Sequence, residues 1–451
     1  MSASAVLCQD VVKSNENYQK NANIASLNKL IDSLALDEAI RIALKNNPGI
    51  IAADNEAQGS GHRVKSLKSE RYPNIDGQTD YRNFLYNQRL IQGRKPRDWA
   101  SPFTKNIASL DIILTIPLYT SGRLSNEIKA AELLHNASIL ELAHSKNELI
   151  FNISSLYFSI LAQHNVVTSL EISKQAIMEH LKTINQMIDV KKAAVVDRLR
   201  ADVRLSDLEQ LYIREKNILA IEYSALSNLM GLDVGQGIQS LEDSLQVKDA
   251  VICPMVSECY SRALENRKDY CAILSELQGK EAQIHSAQAL RYPSVYLKGN
   301  LSSRLDASRS DSREEIIDYY GNDGMLGIVL IMPLFDGGGI TAHVRERQTE
   351  YEAKKQQIRQ LELKIYNEVY SSRLSLEAAR DRITATEKSI EEAKESFRIE
   401  QEKYSLGSGT VVDVLDAQSA LLQAQTNYYH ALAEWNISLA QLRFFTGEGE
   451  F

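Results

Sequence analysis

Along four stretches of the 451-residue chain, apolar and polar side chains take turns. Ile75, Gly77, Thr79 and Tyr81 alternate with Asp76, Gln78, Asp80 and Arg82. Leu110, Ile112, Leu114, Ile116 and Leu118 alternate with Ser109, Asp111, Ile113 and Thr115. Further on, Val295, Leu297, Gly299 and Leu301 alternate with Tyr296, Lys298, Asn300 and Ser302, and Leu326, Ile328, Leu330, Met332 and Leu334 form one face. A period of two predicts β-strands, at about 74–84, 108–118, 294–304 and 324–335. Each is about ten residues long, enough for a tilted strand to cross a bilayer. An apolar face backed by a polar one suits a membrane barrel. A half-buried sheet in a soluble protein shows the same alternation. The segments between paired strands, 85–106 and 304–322, are long and polar, as loops on one side of an outer-membrane barrel are.

Elsewhere the period is seven. Leu142, Leu149, Leu156, Leu170, Ile177 and Ile184 are spaced by heptads, and Ile153, Ile160, Val167, Leu181 and Ile188 complete the seam. Later, Leu376, Ile383, Ile390, Phe397 and Tyr404 pair with the small residues Ala379, Thr386 and Ala393. These are coiled-coil seams. No proline interrupts either run, from Gly122 to Lys191 or from Gly339 to Leu406. At 1.5 Å per residue each helix is on the order of 100 Å long, too long for an ordinary globular domain.

The two kinds of segment occur twice in the same order. Arg71-Tyr72-Pro73 recurs 220 residues on as Arg291-Tyr292-Pro293, and Ala43-Leu44 recurs at the same offset as Ala263-Leu264. Ile116-Pro117-Leu118-Tyr119 recurs 216 residues on as Met332-Pro333-Leu334-Phe335. Val195-Val196-Asp197 and Gly231 recur at that same offset as Val411-Val412-Asp413 and Gly447. The chain is therefore two copies of one unit. Residues 1–35 form an N-terminal extension, 36–232 the first repeat, 233–257 a linker, 258–447 the second repeat and 448–451 a tail. In each repeat the long helix breaks at a tip, about 189–197 and 404–412, and a second helix returns.

Composition narrows the function. A net charge of −8 argues against a nucleic-acid binder. No apolar run is long enough for a transmembrane helix. The start MSASAVLCQD lacks the basic and apolar regions of a signal peptide, and the large Leu7 before Cys8 makes a poor lipid-attachment site. Cys8, Cys253, Cys259 and Cys271 show no CxxC spacing, so zinc and redox motifs are not expected. Buried thiols are the expectation, with one disulfide among the last three the alternative. The eight histidines form no ligand pattern and there is no GxSxG nucleophile, so no enzyme, metal or cofactor is expected. Asp336-Gly337-Gly338-Gly339 lacks the lysine of a nucleotide loop and suits a strand-to-helix turn, as does Thr120-Ser121-Gly122-Arg123. Thr410 with Asp413 fits a helix-capping pair.

Four strands cannot close a membrane barrel, which needs about eight, and open edges in lipid leave backbone groups unsatisfied. If the strands lie in a membrane, the chain must oligomerise. The duplicated unit, with IPLYTSGR (116–123), MPLFDGGG (332–339), ALKNNP (43–48) and above all YSLGSGTVVDVLDAQSALLQAQTNYYHALAEWN (404–436), resembles the TolC-like outer-membrane efflux proteins over about Leu36 to Gly447. The resemblance implies a mainly α protein with a membrane β-barrel portion. As a homotrimer it would form a twelve-stranded barrel in outer-membrane lipid, continuous with a periplasmic α-helical barrel. A periplasmic adaptor and an inner-membrane transporter or secretion ATPase would be its partners. Pro117, Gly122, Pro333 and Gly337 would mark the passage from strand to helix. Asp413 and Asp416 would line the periplasmic entrance, with Tyr404 and Asp197 as gate partners. Leu406, Gly407, Ser408 and Gly409, with Lys191 and Lys192 of the first tip, would meet the adaptor.

Two departures from the family pattern stand out. Gly409 occupies a position that is basic where the gate is tied by an ionic link, and the first tip, Lys191-Lys192-Ala193-Ala194, lacks the usual glycine. Lys191 and Lys192 are the expected substitute cations. The resulting expectation is a passive exit duct of a tripartite efflux or type I secretion system. The alternative is a soluble coiled-coil scaffold with a small sheet, which needs no apolar band on all four strands.

Overall fold

The computed structural model describes residues 33–89, 103–191, 193–233, 237–246, 255–306 and 320–448. Expectations for Cys8 and most of the N-terminal extension, Cys253 and parts of the linker, most of both strand-connecting loops, Lys192 and most of the tail lie outside the described residues. The elements run α1 (Leu36–Asn46), α2 (Pro48–Ser69), β1 (Asn74–Arg89), β2 (Phe103–Tyr119), α3 (Arg123–Asp189) and α4 (Val195–Leu229). The order then repeats as α5 (Val256–Asn266), α6 (Lys268–Ala289), β3 (Ser294–Asp306), β4 (Tyr320–Ile331), α7 (Gly339–Ser405) and α8 (Val411–Thr446). Both α3 and α7 have 67 residues without a break.

Two compact units share these elements: residues 55–140 with 272–360, and residues 1–54 with 141–271 and 361–451. In the first, the strands form one antiparallel sheet in the order β1-β2-β3-β4. Register sorts the side chains by face. Ile75, Leu114, Gly299 and Leu326 form one row across all four strands. Ile116, Leu297 and Ile328 form another. This apolar face is open: Ile75, Ile112, Leu301, Leu326, Ile328 and Leu330 are all exposed, Ile328 at 71%. On β1 and most of β2 and β3 the opposite face is polar, and there Ser109 Oγ lies within hydrogen-bond reach of both Asp80 (2.7 Å) and Asp111 (2.8 Å), while β4 places Met325, Gly327 and Val329 on it. Strands β1 and β2 run beyond the predicted spans, because their pairing continues to Arg89 and Phe103. Strand β4 ends at Ile331 and not near 335. Pro333, lacking an N–H, cannot extend the ladder. Pro117 lies inside β2, where the register slips before Tyr119.

The helices of this unit pack through small residues. Ala272, Ser275, Gly279, Ala282, Ser286 and Ala289 are buried on α6, and a Cβ on Gly279 would sit 3.5 Å from the Ala130 carbonyl of α3. Among the described residues no helix is long and apolar enough to cross a membrane.

In the other unit the predicted seam is the core. Leu170, Ile177, Leu181 and Ile184 of α3 pack with Ala201 and Leu208 of α4 and Val411 and Leu415 of α8. Leu376, Ala379 and Ile383 of α7 pack against Ala431, Trp435 and Leu439 of α8. Beyond Ile383 the seam opens, and Ile390, Ala393 and Phe397 are half-buried in the single chain. Cys259 is buried with Ala263, Ile365 and Val369.

Candidate functional site

The helix α7 ends in a left-handed turn. Gly407 has φ 75°; its N–H donates to the Tyr404 carbonyl, and Ser408 N–H donates to the Lys403 carbonyl at 3.0 Å. This pair of bonds satisfies carbonyls that a helix end leaves orphaned, and glycine adopts the required φ without a Cβ penalty. Leu406 and Ser408 complete the tip, with Leu406 exposed. Helix α8 starts at once. The Asp413 N–H donates to Thr410 Oγ1 (3.2 Å), while Thr410 N–H and Oγ1–H donate to Asp413 Oδ2 (3.1 and 2.6 Å). Those bonds hold the Asp413 carboxyl below its ordinary range, and the charge of Lys403 adds to the effect.

The buried face of α8 is Val411, Val414, Leu415 and Gln418, whose amide donates to the Ser173 carbonyl (3.0 Å). Asp413 and Asp416 are exposed on the other side, one turn apart. Lys403 itself pairs with Glu400 at 2.6 Å. Gly409 is tightly placed: a Cβ there would lie 3.1 Å from both Lys403 Cβ and the Tyr404 nitrogen, so a side chain needs its neighbours to give by a few tenths of an ångström. The cation that acts on Asp413 within the chain, Lys403, comes from the last turn of α7.

The first tip is built on the same plan with weaker parts. Lys191 takes the place of glycine at φ 60°, and its N–H donates to the Ile188 carbonyl (2.9 Å). Ala194 caps α4 without a side-chain acceptor, leaving only the Asp197 carboxylate to accept from Ala194 N–H (3.3 Å). The Lys191 side chain is exposed; Lys192 lies outside the described residues.

The structure brings Tyr404 and Asp197 together from α7 and α4. Burial and then the Asp197 carboxylate raise the Tyr404 phenol above its ordinary pKa. Tyr404 packs on the α3–α4–α8 core. Two partners of the tips carried no sequence signal. The His180 ring of α3 stands edge-on to Tyr404, 4.8 Å between centroids, and Arg204 of α4 hydrogen-bonds Ser419 of α8. At the strand-to-helix turns, Gly122 and Gly337 take positive φ, and Asp336 accepts the N–H groups of Gly338 (3.0 Å) and Ile340 (2.5 Å). Asp336 is thus a helix cap and not part of a phosphate loop. Among the described residues no three His, Cys, Asp or Glu side chains cluster as a metal site requires.

A sequence model of the family described as "Outer membrane efflux protein" matches residues 39–232 and 259–448, the two repeats in turn. "Outer membrane protein TolC" of Vibrio cholerae is 21% identical over 426 residues, covering 94% of this chain and 93% of its own length. "Cobalt-zinc-cadmium resistance protein CzcC" of Cupriavidus metallidurans is 22% identical over 355 residues, covering 78% of this chain and 80% of its own length. The solved outer-membrane channel OprN superposes with a TM-score of 0.76 at 17% identity, over 91% of this chain and 89% of that one.

Proposed function

The chain belongs to the outer membrane efflux protein family, and we propose that it is the exit duct of a tripartite efflux or type I secretion system. It is an outer-membrane protein that extends into the periplasm. The observation that carries the duct is the sheet. Its apolar face is open across all four strands, and β1 and β4 each pair on one side only among the described residues. A soluble scaffold would leave that face without an apolar partner. In lipid the face is satisfied, and the two edges are satisfied when β4 of one copy pairs with β1 of the next. Three copies then close twelve strands, with the polar face inward.

Transport through such a duct needs no chemistry of its own. The exposed acids Asp413 and Asp416 line the periplasmic entrance, where three copies set a ring of negative charge. Asp197, Tyr404 and the packed tips hold it narrow. Leu406, Gly407, Ser408, Gly409 and Lys191 present the surface for a periplasmic adaptor, which links the duct to an inner-membrane pump or secretion ATPase. Cargo choice rests with that pump.

The test is a photo-crosslinking residue at Leu406 in the exported full-length chain, with the membranes then solubilised in detergent. The expected products are a trimer and an adduct with a periplasmic adaptor. Recovery of the exported chain as a detergent-free soluble monomer would remove the duct.

A further inference from the structure

Two polar atoms at the tips are sealed without a hydrogen-bond partner among the described residues: Nε2 of His180 and the hydroxyl oxygen of Tyr404. Buried polar groups are nearly always bonded, so a pair left unmet in one contact calls for a cause. The two rings touch edge to face at 4.8 Å, and they join the last turns of α3, in one hairpin, to the end of α7, in the other. Asp197 of α4 acts on Tyr404. Asp413 of α8 is bound by Thr410 and exposed. On α7, Lys403 is paired with Glu400. The core that Tyr404 packs against includes the apolar Leu181, Ile184, Val411 and Leu415.

We propose that His180 is a further residue of the entrance: neutral, it holds Tyr404 in the packed position, and protonated, it releases it. This rests on the tips being the channel entrance. An imidazolium donates from both ring nitrogens, and here the sealed Nε2 has nothing to donate to. Charging the ring in place costs desolvation that a swing of Tyr404 away from it removes, by admitting water. Burial, the one cause acting on His180, lowers its pKa below the ordinary 6.5. The packed arrangement therefore binds the proton more weakly than the loosened one, and acid favours loosening. One site shifts such an equilibrium by at most about tenfold per pH unit.

The experiment compares the full-length chain with His180→Phe and His180→Asn in planar bilayers, between about pH 8 and about pH 5.5, the histidine range. Hydrogen exchange of the segment carrying residues 404–410, corrected for intrinsic rates, is followed in parallel. For the unaltered chain a severalfold rise in conductance and faster exchange are expected on acidification. Both responses are absent in either variant. Asp413→Asn with Asp416→Asn keeps them. An unchanged acid response in both His180 variants, or its loss only in the aspartate pair, overturns the proposal. Acid-dependent exchange that needs His180, without any channel in the bilayer, supports the contact and removes the duct. A working channel with no acid response in either readout removes the contact and leaves the duct.

Discussion

Asn47 and Arg267 stand at the same place in the two repeats, and they solve one problem with different chemistry. Each closes a short helix: Asn47 N–H donates to Ala43, and Arg267 N–H to Ala263. Asn47 then caps α2, its Oδ1 accepting from Gly49 (2.8 Å) and Ile50 (3.2 Å), while its Nδ2 donates to the Leu229 carbonyl (2.8 Å). Arg267, at 5% side-chain exposure, carries a buried charge. Its guanidinium bonds Asp269 twice (3.0 and 2.7 Å) and Glu368 once (2.6 Å), and stands over the Phe445 ring. Each site is sealed by a glycine at the end of the returning helix, Gly231 or Gly447. The first repeat is joined by neutral hydrogen bonds and the second by an ion network. Duplication preserved the geometry and left the chemistry free to diverge.

The largest test of this difference is to truncate both residues. Arg267→Ala leaves the half-buried Asp269 and Glu368 with only the more distant His144 (4.0 Å) and Lys364 (3.6 Å) beside them and is expected to cost about 3 kcal/mol. Asn47→Ala is expected to cost about 1–2 kcal/mol. Thermal unfolding in detergent measures both, and equal losses would erase the contrast. Next come the glycines, where the repeats should behave alike. A Cβ would meet the Asn46 carbonyl oxygen at 2.5 Å from Gly231, and the Asn266 carbonyl carbon at 2.7 Å from Gly447. Both positions also have positive φ. Gly231→Ala and Gly447→Ala are each expected to cost about 3 kcal/mol.

Acid separates the repeats again. Burial alone would raise the Asp269 pKa, but Arg267 outweighs it and the carboxyl lies below its ordinary value. A depressed folded-state pKa means stability that is present above the unfolded value and lost as pH falls through the folded one. The thermal midpoint is expected to drop below about pH 4, and Asp269→Asn to remove part of that dependence; an unchanged acid profile in the variant counts against the network. Smaller effects distinguish the tips. Thr410→Ala is expected to destabilise by about 1 kcal/mol and Ala194→Thr to stabilise by about as much. Local hydrogen exchange at the start of α8 and α4 reads each, and the same sign for both would refute the tip comparison. Last, Lys191→Gly relieves a left-handed residue but loosens the unfolded chain, for a net gain of about 0.5 kcal/mol, read by exchange at the end of α3.

Much of this was legible in the chain because it is local or periodic. The heptads that predicted α3 and α7 are the buried residues Leu170, Ile177, Ile184, Leu376 and Ile383. The spacing of Thr410 and Asp413 predicted the cap, since its hydrogen bonds span one turn. Period two placed the strands, and the ladder moved only their ends, where pairing and Pro333 decide. Lys191 and Lys192 are the substitute cations that the sequence suggests for a basic residue at 409; spacing did not single out Lys403, which acts on Asp413 within one chain. No local pattern tells which side of a turn a lysine will face.

The sequence by itself determined the duplicated plan, the long helices, the strands with one apolar face and the two tips. Each follows from side-chain spacing against a backbone period, which neighbours in the chain suffice to set. Tertiary structure alone decided that Arg267 meets Glu368 and that His180 lies against Tyr404. These two contacts join residues about 100 and about 220 positions apart. Their partners are chosen by how helices pack, through contacts whose energy depends on distances that no spacing along the chain encodes.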